Sequence, residues 1–149
     1  MEEVLERLKP MAGREVGVSD WMEITQERVN AFADATDDHQ YIHVDPERAK
    51  LTPFGGTIAH GFLTLSLLIP LVSSIELDVG QPVMGVNYGL DKVRFPAPVP
   101  VGSRIRARLA LDEVSEVAGG LQLKRTVTVE VEGSEKPAMV AETIVRLYY

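Results

Sequence analysis

The sequence contains no cysteine, and this absence excludes several classes of protein at once. Disulfide-stabilised scaffolds, thiolate metal sites and cysteine nucleophiles all need a thiol, so none of them applies to this chain. Positive charge is also scarce, with 15 lysines and arginines against 22 aspartates and glutamates. Because nucleic-acid binding needs a clustered excess of positive charge, the net charge of -7 predicts no nucleic-acid partner.

Signals for export and for membrane insertion are also missing. The first six residues include three glutamates, the opposite of the basic region that opens a signal peptide, so we expect a cytoplasmic protein. Residues 57–75 approach the roughly 20 apolar residues that cross a bilayer. His60 and Pro70 interrupt this segment and no basic cluster flanks it, so we expect a buried helix and no membrane contact.

The first half of the chain shows helical spacing of its apolar residues. Thr25 has the character of an N-cap, and Asp45 followed by Pro46 has the same character. These signals predict three helices, over residues 2–9, from Thr25 to Ala35 and over 47–51. The polar residues 36–43 between the last two helices are interpreted as a loop.

A longer helix is predicted over residues 59–73. Its apolar residues lie on nearly all of its sides, so other structure must enclose it. The second half of the chain supplies that structure, because alternating apolar and polar residues predict strands over 83–95, 103–117, 121–132 and 138–148. An earlier strand is expected through Val16, Val18 and Trp21. The sequence therefore predicts one α+β domain, 1–149, with an antiparallel sheet wrapped around a long central helix.

The three histidines form the first functional signal. His39, His43 and His60 fall within 22 residues, and the acidic residues Asp37 and Asp38 accompany them. Loops on rigid scaffolds often carry catalytic groups, although a solvated connecting loop would have the same composition. A metal site with two histidines and a carboxylate could draw on His39, His43, His60 and an aspartate, and its His39–His43 pair would need one helical turn. A loop does not provide that turn, so we expect no metal.

The order of these residues resembles the MaoC-like hydratases, a branch of the hot-dog superfamily. The motif of that family, approximately Gly-Asp-x-Asn-Pro-(Leu/Ile)-His-x-Asp, is similar to TDDHQYIHVDP at residues 36–46. Two further segments, FGGTIAHGFLTLSLL and NYGLDKVRFPAPVPVGSRIRA, also resemble family segments. Similarity to the NodN-like group of single-domain hydratases extends from about Val16 to Arg146.

The resemblance implies a reversible reaction, the hydration of trans-2-enoyl-CoA to (R)-3-hydroxyacyl-CoA by a hydro-lyase. It assigns the catalytic pair to Asp38 and His43, a carboxylate and an imidazole that share one water molecule as acid and base. Negative charge develops on the thioester oxygen, and the backbone amide of Gly61 would donate to that oxygen. Substrate-binding positions are expected at Gln40, Ala59, His60 and Arg94.

The same resemblance predicts the molecules that accompany the protein. No cofactor is expected, because CoA arrives as part of the acyl-CoA thioester substrate. The relatives usually form homodimers, and an unpaired edge strand independently favours pairing with a second copy. A ligand role for Arg104, Arg106 and Arg108 near the CoA phosphates is an alternative to a solvated sheet face.

The sequence departs from the family pattern at four positions. Asp37 stands where the family has glycine, Gln40 where it has asparagine and Tyr41 where it has proline. Ile69 stands where some relatives have a hydroxyl that holds the water, so either Gln40 replaces that group or two groups suffice. These departures leave two rivals to the hydratase, namely a hot-dog thioesterase and a noncatalytic acyl-binding protein.

Overall fold

The computed structural model describes all 149 residues, Met1–Tyr149. Its helices are α1 (Glu2–Leu8), α2 (Gln26–Thr36), α3 (Tyr41–Val44), α4 (Pro46–Ala49), α5 (Gly61–Ser66) and α6 (Leu68–Ser73). Its strands are β1 (Arg14–Val18), β2 (Met22–Glu23), β3 (Met84–Arg94), β4 (Arg104–Val117), β5 (Gly120–Val131) and β6 (Met139–Tyr148). The four long strands begin and end within one residue of their predicted bounds. None of the helices combines the length and the apolar character that crossing a bilayer requires.

The six strands form one antiparallel sheet in the order β1-β4-β5-β6-β3, and β2 pairs with β4 beyond the end of β1. The early strand expected through Trp21 ends at Val18 and resumes only at Met22. The predicted alternation on β4 is confirmed, because Ile105, Ala107, Leu109 and Leu111 are all fully buried. β3 pairs with β6 alone and so forms an open edge of the sheet.

The prediction of one long central helix was wrong, because two six-residue helices, α5 and α6, occupy the segment. Pro70 gives the physical reason. It has no N–H to donate to the carbonyl of Ser66, and its ring crowds that carbonyl. Ser66 is the last residue of α5, and α6 begins after Leu67. The longest helix is therefore α2, with 11 residues.

The sheet covers α5 and α6 on one side only. Leu63, Leu67 and Leu68 are buried in a core cluster of 17 residues that they share with the inner face of the sheet. Phe62 and Ile69 remain 70% and 56% exposed. Within one chain the sheet therefore does not enclose this segment on all sides, and the uncovered side opens onto cavities.

Candidate active site

His43 lies in α3, a single helical turn inside the stretch that the sequence predicted as a loop. Four residues are too few to show helical periodicity, which is why the turn was missed. The turn buries His43, and its Nδ1 lies 2.7 Å from the carbonyl oxygen of Ile58. Because a carbonyl can only accept, Nδ1 carries the proton and Nε2 remains an acceptor.

Burial lowers the pKa of His43 below its ordinary value of 6.5. The neighbouring His60 acts in the same direction, whereas the hydrogen bond to Ile58 and the charge of Asp38 act against it. Since the net direction is downward, the imidazole is neutral near pH 7. A neutral imidazole with a free Nε2 has the protonation state that a general base needs.

His60 holds Asp38 beside His43. Its ring stacks on that of His43, with the ring centroids 3.8 Å apart and an angle of 23° between the planes. Its Nε2 donates to the backbone carbonyl of Asp38 at 3.0 Å and lies 4.0 Å from a carboxylate oxygen of the same residue. The nitrogen and carboxylate atoms that Asp38, His43 and His60 offer all lie within 4.8 Å of one another.

The hydrogen bonding of His60 is incomplete. Its other ring nitrogen, Nδ1, is buried and has no hydrogen-bond partner in the chain. A buried polar atom left unpaired costs about 1–3 kcal/mol. The protein thus keeps an unpaired acceptor next to the two residues expected to be catalytic.

Gly61 begins α5, directly after His60. Its amide N–H donates to no backbone or side-chain acceptor, as expected for the first residue of a helix. A Cβ atom at this position would lie only 3.2 Å from three carbons of the Phe95 ring. Any other residue would crowd this ring, so glycine allows the contact and leaves the amide accessible.

These groups share one cavity of about 500 Å³. It opens on the uncovered side of α5, and its walls combine polar and aromatic groups. The lining residues are Phe32, Thr36, Asp38, His43, His60, Gly61, Phe62 and Phe95. The structure therefore brings together Asp38, His43 and Gly61, the three residues that the sequence predicted to be catalytic.

Two residues of the site were missed by sequence reasoning. Gln26, at the start of α2, donates through Nε2 to the backbone carbonyl of His43 at 2.7 Å. Its Oε1 accepts a hydrogen bond of 2.6 Å from the hydroxyl of the buried Thr57. These partners are 17 and 31 positions away in the chain, so no local pattern could have revealed the link.

The expected substrate-binding residues occupy different places. Gln40 precedes α3 with an exposed side chain and does not line the cavity of Asp38. Ala59 is buried and lines a separate cavity of about 270 Å³ on the other side of Gly61. Arg94 is exposed at the end of β3 and donates to its own neighbour, the carbonyl of Val93.

His39 does not join the cluster. Its Nε2 lies 2.8 Å from a carboxylate oxygen of Asp34 on α2, and its side chain is half exposed. His39 precedes α3, so it does not share a helical turn with His43. His39 therefore takes no part in the metal-site alternative, whereas the two other histidines, His43 and His60, do lie together with a carboxylate, that of Asp38.

The three arginines considered for CoA binding lie on the outer face of β4. Arg104 pairs with Glu132, Arg106 with Glu130, and Arg108 with both Glu130 and Glu15. These ion pairs are partly exposed, and they leave each guanidinium engaged within the chain. The solvated-face interpretation accounts for all three residues.

Asp37 explains the departure from the family glycine. It ends α2 in the left-handed conformation, with a φ of 58°, the conformation in which glycine is most favourable. Aspartate tolerates this region better than most residues, so the chain turns there and Asp38 still reaches the cavity. Asp37 itself is exposed and does not line that cavity.

The comparison with known families now decides the identification. A family model described as the MaoC-like domain matches residues 7–134 of the chain. The chain belongs to the MaoC-like family. The resemblance read from residues 36–46 and from the segments after it is therefore confirmed.

Known members of the MaoC-like family are similar over most of the chain. The 3-hydroxyacyl-thioester dehydratase Z of Mycobacterium tuberculosis is 60% identical, covering 93% of this chain and 92% of that protein. Nodulation protein N of Rhizobium leguminosarum bv. viciae is 51% identical, covering 89% of this chain and 83% of that protein. The predicted likeness to the NodN-like group is confirmed.

Solved structures support the MaoC-like fold. An (R)-hydratase from A. caviae involved in PHA biosynthesis superposes with a TM-score of 0.72 at 24% identity, covering 89% of this chain and 95% of that chain. The predicted α+β hot-dog fold is confirmed by this likeness. The broken central helix is a local departure from that prediction.

Proposed function

We propose that this MaoC-like hydro-lyase interconverts trans-2-enoyl thioesters and (R)-3-hydroxyacyl thioesters, with CoA as the carrier. The observation that carries the proposal is the convergence of Asp38, His43 and His60 within 4.8 Å, in a cavity that Gly61 also lines. The similarity to a 3-hydroxyacyl-thioester dehydratase supports the reaction class.

The acid and base steps follow from the state of His43. In hydration, the oxygen of water bonds to C3 of the enoyl group while a proton leaves that water. The neutral Nε2 of His43 accepts this proton, and the carboxylate of Asp38 orients the water. The pair returns a proton to C2, so dehydration runs through the same groups in reverse.

Charge on the thioester oxygen needs a fixed donor. When water attacks C3, electrons move toward C2 and the carbonyl, and the oxygen gains negative charge. The free N–H of Gly61 lines the same cavity as Asp38 and His43 and would donate to this oxygen. A donor that is already in place costs no rearrangement during the reaction.

We also propose that the chain forms one domain and assembles as a homodimer. Both core clusters, of 17 and 7 residues, include side chains from the inner face of the same sheet, which favours a single folding unit. The open edge β3 carries exposed apolar side chains at Met84, Tyr88 and Leu90. Pairing with a second copy would provide hydrogen-bond partners for the unpaired backbone N–H and C=O groups of this edge strand.

The test is hydration of crotonyl-CoA, followed by the loss of enoyl absorbance and by chiral analysis of the product. We expect the (R)-3-hydroxy thioester from wild type and a loss of about 100-fold or more in kcat for Asp38→Asn and His43→Gln. Because the pKa of His43 is lowered, kcat/KM should stay high as the pH falls through 6.5 and should decline only below it.

One control variant and two contrary outcomes complete the test. His39→Gln removes the imidazole that lies outside the cavity and should leave kcat/KM within about twofold of wild type. Release of free CoA without formation of the 3-hydroxy thioester would contradict the proposal and favour a thioesterase. Tight acyl-CoA binding with no turnover by wild type at any chain length would favour the noncatalytic rival.

A further inference from the structure

Arg125 breaks the apolar pattern of the inner sheet face. Alternate residues of β5 face the core, and the neighbours of Arg125 in this row, Leu121, Leu123, Val127 and Val129, are all buried. Arg125 occupies the middle of the row, where the period of two calls for another apolar side chain. It lies between the two core clusters, since Leu123 belongs to one and Val127 to the other.

The guanidinium of Arg125 has almost no partners within the chain. Its Nε donates to the hydroxyl of Thr143, the residue directly opposite on β6, at 3.2 Å. A guanidinium has five N–H donors, and no carboxylate lies within ion-pair distance of the others. Arg108 on the outer face, by contrast, pairs with Glu130 and Glu15.

Partial burial makes this isolation unfavourable. Arg125 is only partly exposed. Its removal from water lowers the pKa of Arg125 from its usual value, although an arginine still keeps its proton near neutral pH. A charge drawn from water without an opposite charge beside it destabilises the folded protein. An anionic group on a bound ligand would supply that opposite charge.

Two cavities meet at Arg125. One has a volume of about 280 Å³ and lies between α5, α6 and the edge strand β3. The other has a volume of about 250 Å³ and lies along α6 and the far end of the sheet. Apart from Arg125, no charged residue lines either cavity, and the other walls are mostly aliphatic, including Leu65, Ile69, Val72 and Val145.

The position of these cavities relates them to the active site. Gly61 and Phe62 at the start of α5 line the catalytic cavity, whereas Leu65 and Ile69 line the cavity at Arg125. The eight steps from Gly61 to Ile69, through α5, Leu67 and the start of α6, correspond to about 12 Å at the helical rise of about 1.5 Å per residue. An acyl chain whose thioester oxygen binds at Gly61 and whose tail follows this uncovered side of α5 would reach Arg125.

We propose that Arg125 binds a carboxylate carried by the acyl chain, so that the enzyme selects enoyl thioesters with an anionic group remote from the thioester. This inference rests on the proposed function, because it uses the orientation of the substrate at Gly61. The planar edge of a guanidinium binds a carboxylate through two parallel hydrogen bonds. One carboxylate also balances the single positive charge of the cavity.

The kinetic test compares three enoyl-CoA substrates of equal chain length that end in a methyl group, a carboxylate or the methyl ester of that carboxylate. We expect wild type to prefer the carboxylate by about 10- to 100-fold in kcat/KM, the range of a charge-assisted hydrogen bond. Arg125→Met should abolish or reverse this preference while leaving the methyl-ended substrate equally reactive or better. Arg125→Lys should keep part of it.

Lys124→Met is the matched control, since it removes the same charge from the neighbouring residue of β5. Lys124 alternates with Arg125 along the strand and so faces the other side of the sheet. The Lys124→Met variant should therefore retain the wild-type preference for the carboxylate substrate. Methionine fits an apolar cavity, so thermal unfolding of Arg125→Met should occur at or above the wild-type temperature. A fall in that temperature together with equal losses on all three substrates would assign Arg125 a structural role and overturn the proposal.

A binding test separates this inference from the proposed function. Calorimetric titration with monomethyl sebacate and with dimethyl sebacate compares one free carboxylate with none and requires no turnover. Binding of the monoester alone, lost in Arg125→Met, would support the site even if no hydration were observed. Competition between the monoester and enoyl-CoA would support an acyl subsite.

Three results would contradict the proposal. Noncompetitive binding of the monoester would assign the carboxylate to a separate ligand. Equal binding of monoester and diester would show that the guanidinium does not recognise the charge. A dimer that weakens in Arg125→Met, with unchanged substrate preference, would show that a carboxylate of a second copy is its partner.

Discussion

At the scale of single residues, Asp37 shows how one backbone conformation shapes the site. The chain leaves α2 through a left-handed residue, and this turn directs Asp38 into the cavity that His43 and Gly61 also line. The side chain of Asp37 makes no hydrogen bond within the chain and no ion pair. Asp37 therefore contributes to the site through its backbone conformation, which turns the chain, and not through the charge of its side chain.

Substitutions at Asp37 should act on stability and should spare the chemistry. Asp37→Gly removes the steric cost of a positive φ and should change the free energy of unfolding by less than about 1 kcal/mol. Asp37→Val places a β-branched residue in the same conformation and should destabilise the protein by about 1–2 kcal/mol or more. Urea unfolding measures both values.

Activity provides the control for this prediction. Asp37→Gly should retain kcat and KM, because Asp37 does not line the cavity that contains Asp38 and His43. A large loss of kcat in a stably folded Asp37→Gly protein would mean that the carboxylate itself takes part in the reaction.

At the scale of secondary-structure elements, the site depends on hydrogen bonds between three segments. Gln26 joins the start of α2 to the carbonyl of His43 in α3 and to the hydroxyl of Thr57. Thr57 precedes Ile58, whose carbonyl accepts from His43 and whose amide donates to Ile42. We therefore predict that Gln26 and Thr57 act as positioning residues, which hold His43 without touching the reacting atoms.

Thr57→Val should damage this arrangement. The change leaves Oε1 of Gln26 without its donor and should cost about 1–3 kcal/mol of stability. It should lower kcat by up to about 100-fold, because a small displacement of His43 is enough to misplace the base. The acidic limit of the kcat/KM profile should also move, since the pKa of His43 depends on its burial and on its bond to Ile58.

Two further variants separate positioning from stability. Thr57→Ser keeps the hydroxyl and should restore most of the wild-type kcat. Thr52→Val removes a hydroxyl that bonds only near its own position, to the carbonyl of Ala49 and the amide of Phe54, and should leave the pH profile unchanged. If Thr57→Val lowered stability but kept kcat and the pH profile, the positioning role would be rejected.

At the scale of the whole molecule, the open edge β3 determines how copies would associate. Its side chains are largely exposed, and Tyr88 is 55% exposed beneath the guanidinium of Arg146. Edge strands with exposed apolar residues tend to pair with another chain. In a symmetric pair the same residues of both copies would face one another.

Tyr88→Lys should therefore weaken the homodimer. It replaces apolar surface with charge on both copies of a symmetric interface, and it adds a cation next to Arg146. Sedimentation velocity should show a shift toward monomer at concentrations where wild type is dimeric. Leu51→Lys is the control, because Leu51 is 89% exposed and lies outside β3, and it should leave the assembly unchanged.

Several features of the protein follow from the sequence alone. Alternation located the four long strands to within one residue. On β4, β5 and β6 this pattern reflects one face that packs on the core and one that does not. The caps at Thr25 and Asp45 act locally, and both side chains accept the predicted backbone hydrogen bonds. The family motif, which is also local, picks out Asp38 and His43 as a pair, and these two residues line one cavity.

Other features were decided only by the tertiary structure, because they depend on residues far apart in the chain. The tautomer of His43 is fixed by the carbonyl of Ile58, 15 positions later, and its backbone is held by Gln26, 17 positions earlier. The sequence places Arg125 on a strand, but the unpaired guanidinium beside two cavities emerges only when β5, β6 and α6 pack together. Local patterns report the conformation and burial of a segment, whereas the partners of a polar group depend on which segments meet.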